Sequence, residues 1–67
     1  METDSLRQLA KLIEQLTNLS AEATRLAEGN PAAERNLYMI QQHLEMLQIE
    51  ICEPLAVLEE GARPNER

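Results

Sequence analysis

Leu26-Ala27-Glu28-Gly29-Asn30-Pro31 is the stretch that decides the architecture of this chain. Glycine reaches the left-handed backbone conformation that closes a helix at the position after its C-cap. Pro31 disfavours helical geometry at Asn30, and an N-cap residue needs that non-helical geometry. Proline itself suits the first helical position, where its missing amide hydrogen has no partner to lose. One helix therefore stops and another starts within about three residues, and a link that short favours antiparallel neighbours, an αα-hairpin. A continuous helix through this point is the rival reading, and a glycine followed so closely by a proline argues against it.

Working back from the turn, apolar residues step by three and four through Leu6, Leu9, Ile13, Leu16, Ser20, Ala23 and Ala27. Leu12, Leu19 and Leu26 repeat beside them. Three apolar positions per heptad is the width of a core-facing bundle helix, broader than a two-stranded coiled-coil seam. Arg7, Lys11, Glu14, Gln15, Asn18, Glu22 and Arg25 take the other face, and no Gly or Pro interrupts Ser5 to Glu28. Ser5 and Gln8 have the spacing of a capping box, so the first helix is predicted over residues 5–28, with the turn at 29–30.

Working forward, the second helix is predicted over about residues 31–60. Leu37, Ile40, Leu44, Leu47, Ile51, Leu55 and Leu58 fall within about 80° of one another at the helical step. Pro54 interrupts this stripe, because its ring removes one hydrogen bond and clashes with the carbonyl of Glu50, so a kink or break is expected there. Gly61 and Pro64 then end the helix, and residues 62–67 read as a flexible tail to a single hairpin unit, 1–61.

A chain of 67 residues with 43% hydrophobic composition, one Cys and one aromatic residue has few ways to be stable. A protein this short buries only about 60% of its unfolded surface. Small domains compensate with disulfides, a structural metal or association. One Cys cannot form an internal disulfide, and Cys52 with His43 is too few for a structural zinc site. Association remains. The expected architecture is all-α: an antiparallel helical hairpin that dimerises into a four-helix bundle with two-fold symmetry. Its expected oligomer core is Leu6, Leu9, Ile13, Leu16, Leu37, Ile40, Leu44, Leu47 and Ile51. A tetramer stays open, since the second helix carries Tyr38, Met39, Met46 and Ile49 largely opposite its leucine stripe. Flexible methionines and an aromatic are typical of adaptable binding surfaces, so these four form a candidate surface for another protein.

The formal net charge of −6 and the absence of any Lys or Arg between Arg35 and Arg63 argue against nucleic acid and anionic lipid as partners. No apolar run approaches the roughly 18 residues of a membrane span. The first residues, Met-Glu-Thr-Asp-Ser, are acidic and polar where a secretory signal is basic and then apolar, so a cytoplasmic place is expected. His43 and Cys52 stand on opposite sides of the helical wheel, and Glu50 and Glu53 beside Cys52 oppose its thiolate. There is no Gly-rich phosphate loop, no Ser-His-Asp set and no Cys-x-x-Cys. Catalytic residues, cofactors, metals and a small-molecule substrate are accordingly not expected, and the chain reads as no enzyme.

Length, hairpin and expected dimeric bundle resemble Rop, the small plasmid RNA-binding protein. That resemblance implies RNA binding across a basic face, which here would draw on Arg7, Lys11 and Arg25 of the first helix. Gln41-Gln42-His43-Leu44-Glu45 is similar to the signature of small helical phosphatases that act on sporulation response regulators, with Gln41 and Glu45 where that motif has Ser and Asp. In hairpin length and acidity the chain also resembles the small subunit of exonuclease VII. No family is assigned on these likenesses. The reading they leave is a small non-enzymatic protein–protein interaction module, a regulator, adaptor or assembly factor. The alternatives are a Rop-like weak nucleic-acid binder, or an acidic mimic of nucleic acid that occupies a basic partner.

Overall fold

The computed structural model describes residues 2–61, which form a helical hairpin with no strand among them. Helix α1 spans Thr3–Leu26 and α2 spans Pro31–Leu47. A π-helical turn, Gln48–Cys52, leads directly into α3, Glu53–Gly61. The expected tail, 62–67, lies outside the described residues.

Helix α1 begins and ends about two residues before the span the spacing predicts. Glu2 is the cap residue in extended geometry, and its carbonyl accepts from the Leu6 amide at 2.9 Å. Thr3, Asp4 and Ser5 therefore already lie within the first turn, where the Asp4 carboxylate complements the positive end of the helix dipole. With Ser5 inside the helix, the expected Ser5–Gln8 capping box does not form; no side chain caps this end. At the other end the Ala27 amide is shared between the carbonyls of Ala23 (2.9 Å) and Thr24 (3.2 Å). Gly29 then reverses the chain at φ +92, a conformation in which a β-carbon would be strained although the space around it is open. Asn30 caps α2 by accepting from the Ala33 amide at 3.2 Å, with Pro31 next. The Glu34 carboxylate reaches back to accept from the Gly29 amide at 3.0 Å, so both sides of the turn are tied to the new helix.

Pro54 acts on the turn before it. The Glu53 amide donates to the carbonyl of Gln48, five residues back, and the backbone widens into one π turn. That turn relieves the proline's conflict with Glu50 by taking in an extra residue, so everything beyond it is rotated by roughly 100° relative to an uninterrupted helix. This rotation explains why Leu55 stays buried while Leu58, placed on the core stripe by simple periodicity, is 57% exposed. It also swings Glu59 toward α1, where its carboxylate accepts from Arg7 Nε at 2.6 Å.

The two arms meet along a narrow seam. From α1 it takes Ala10, Ile13, Thr17, Ser20 and Thr24; from the returning arm, Leu37, Gln41, Leu44, Gln48, Cys52 and Leu55. Much of it is polar. The hydroxyls of Thr17, Ser20 and Thr24 donate to the α1 carbonyls of Ile13, Thr17 and Ser20 at 2.8–2.9 Å. The two threonine hydroxyls also accept across the seam, Thr17 from Gln48 Nε2 at 2.9 Å and Thr24 from Gln41 Nε2 at 3.1 Å. Among the described residues no buried side-chain polar atom lacks a partner. A seam built this way fixes register more than it buries apolar surface.

The result is a slab of 51 × 24 × 15 Å with a radius of gyration of 15.4 Å. Its smallest dimension is little more than the ~10–12 Å diameter of one helix, so the hairpin is a single layer. Domains ordinarily need two layers to cover their apolar faces. The chain exposes 5481 Å², where a compact protein of its mass exposes about 4,300 Å².

Candidate interaction surface

The residues expected in the oligomer core divide into two groups. Ile13, only 1% exposed, and Leu44 are buried within the hairpin itself, and Leu6, Leu9, Leu37, Leu47 and Ile51 are half-buried. Leu16 and Ile40, by contrast, stand open at about half exposure on the single chain. They belong to a larger open set. Leu12, Leu16, Leu19 and Leu26, with Ala23 between the last two, step along α1 by four, three, four and three, and Leu26 is 75% exposed. This line runs roughly 110° around α1 from the seam.

Two faces of the slab can be told apart by the grooves. Tyr38 of α2 and Arg25 of α1 line one groove together with Thr24, Glu28 and Gln41. A second groove on that side is lined by Thr17, Ala21, Gln41, Glu45 and Gln48. Leu16 and Leu19 lie on the opposite flank of α1 from Arg25, and Ile40 on the opposite flank of α2 from Tyr38, so these apolar residues share the other face. One face of the hairpin is polar and grooved, the other is leucine-rich.

Of the four residues read as a surface for another protein, Tyr38, Met39, Met46 and Ile49, all are exposed. Tyr38 sits on the polar, grooved face. Met39 and Met46 occupy the back of α2, about 180° from the seam, and Ile49 lies in the π turn. All four thus lie on the part of the returning arm that faces away from the seam.

Toward the open end, a further groove is lined by Arg7, Lys11, Glu14, Gln48, Cys52, Glu53 and Glu59 among others. The hydrogen bond from Arg7 to Glu59, and then the charge of that carboxylate, raises the Arg7 guanidinium above its ordinary value. Both partners are about half exposed, so the ion pair is screened and worth little, and its visible effect is to tie α3 to α1. Cys52 is a free, half-buried thiol that points weakly at the Ala10 carbonyl, 3.9 Å away. The fold brings Arg7 and Lys11 to the same groove as this thiol, which the spacing along the chain did not suggest. No three His, Cys, Asp or Glu side chains among the described residues come together as a metal site.

Apolar periodicity alone does not name Thr17, Thr24, Gln41 and Gln48 as seam residues, because it follows only the hydrophobic positions. The signal was present: Thr17, Ser20 and Thr24 are spaced by three and four, and Gln41 and Gln48 by seven. No helix among the described residues is long and apolar enough to cross a membrane. No protein-family model, curated protein or solved structure matches this chain.

Proposed function

We propose that this chain is a non-enzymatic protein–protein interaction module that works as a homo-oligomer, two hairpins closing into a four-helix bundle. The observation that carries this reading is the single-layer slab whose leucine line on α1 is left open. Scattered apolar residues on a surface are normal, but a row of leucines at helical spacing, each at least half exposed, is the mark of an interaction surface. A second layer supplied by another copy covers the open face by the same packing that joins helices within one bundle.

In this reading the bundle serves as a regulator, adaptor or assembly factor in the cytoplasm, with another protein engaged through the surfaces that self-association leaves free. The nucleic-acid alternative is weakened by what surrounds its cations: Arg7 is paired with Glu59, and Lys11 shares a groove with three glutamates. Light scattering on a dilution series tests the central reading. A mass of two chains or more at micromolar concentration is expected, and one chain with full helix content at every concentration overturns it.

A further inference from the structure

We infer that the second copy docks on the leucine face of α1, with the two α1 helices running antiparallel; this rests on the proposed self-association and names its surface and direction. The line Leu9, Leu12, Leu16, Leu19, Ala23 and Leu26 is self-complementary when reversed. Antiparallel packing with Leu16 against Leu19 of the second copy also sets Leu9 against Leu26 and Leu12 against Ala23. Large then meets small at the one place where the line narrows, as close packing requires. A parallel pairing instead stacks Ala23 on Ala23 and leaves a gap there.

Charge agrees with the same direction. Lys11 and Glu22 lie on the same flank of the leucine line, the one opposite the seam, from which Lys11 also borders the groove toward α3. Antiparallel helices face equal flanks to each other, so Lys11 of each copy comes beside Glu22 of the other. Two-fold symmetry closes the contact, so assembly stops at two copies rather than growing into a fibre. The polar face with Tyr38 stays outside.

Two full-length variants and one cross-linking pair test the inference. Leu12→Glu with Leu19→Glu is expected to weaken association more than a hundredfold, whereas Tyr38→Glu with Ile49→Glu leaves the dimer mass unchanged in light scattering. If the leucine variant loses its helix content as well, the cross-link decides. In a Cys52→Ser background, a mixture of Leu16→Cys and Leu19→Cys chains oxidises to a linked dimer, and Leu9→Cys chains alone do not. A dimer that survives Leu12→Glu with Leu19→Glu but is lost in Tyr38→Glu with Ile49→Glu overturns this inference and leaves the self-association intact. Efficient self-linking of Leu9→Cys chains overturns the antiparallel direction. An unmodified chain that is a folded monomer throughout overturns both readings.

Discussion

Two lines of side chains run along α1 roughly 110° apart, and they are built from different material. The line that meets the returning arm holds Ala10, Ile13, Thr17, Ser20 and Thr24, of which only Ile13 is a large apolar residue. The open line holds Leu12, Leu16, Leu19 and Leu26. The chain thus closes on itself with small and hydrogen-bonded residues and keeps its larger apolar side chains for the outside. The lesson is that the two lines do different jobs. The inner one sets which residue faces which, because the Gln48–Thr17 and Gln41–Thr24 hydrogen bonds are lost on any slip of one turn. The outer one supplies apolar area, which is non-directional and scales with what is covered.

The hardest way to break this division is Leu44→Asp. Leu44 is the most buried residue of α2, and an unpaired carboxylate there costs several kcal/mol, most of what so small a domain has to lose. Far-ultraviolet circular dichroism should show loss of helix and light scattering loss of association; a variant that remains a helical dimer contradicts the seam described above. Next in size, Ile13→Ala should cost about 2–5 kcal/mol whether or not the protein associates. Leu19→Ala should differ in kind: its destabilisation grows with protein concentration, and at dilution it stays within about 0.5 kcal/mol. Urea titrations at two concentrations separate the pair, and equal behaviour of both variants would erase the distinction between the lines. The smallest effect concerns register. Thr17→Val leaves the Gln48 amide without its acceptor and should cost about 1 kcal/mol, while Thr17→Val with Gln48→Leu recovers most of it. A double-mutant cycle with no coupling would show that the bond is incidental.

The hairpin was legible in the sequence because its deciding residues act locally. Gly29, Asn30 and Pro31 need no distant partner to impose a reversal, an N-cap and a first helical position. The broad apolar ridge of the first helix was legible too, as was a disturbance at Pro54. What periodicity could not supply was the choice between neighbouring lines on that ridge. Leu9, Leu12, Ile13 and Leu16 are all apolar and all within reach of one another, so hydropathy ranks them equally. Burial of Ile13 and exposure of Leu12 and Leu16 follow from a non-local fact: only the line carrying Thr17 and Thr24 can satisfy Gln41 and Gln48. The position of Leu58 was hidden for a similar reason. Constant helical spacing places it inward, and the extra residue in the π turn turns it outward.

That extra residue makes the end of the molecule a matter of phase. Everything from Glu53 onward is out of step with α2 by one position, and yet Glu59 meets Arg7 only because of that offset. Rewinding this turn as regular α-helix at the same length, which Pro54→Ala favours, would bring the two segments back into step, carry Leu58 toward α1 and take Glu59 off it, with no change upstream. The open end can therefore swap an ionic latch for a greasy one through the winding of a single turn, and evolution can retune this terminus without disturbing the clasp at the bend.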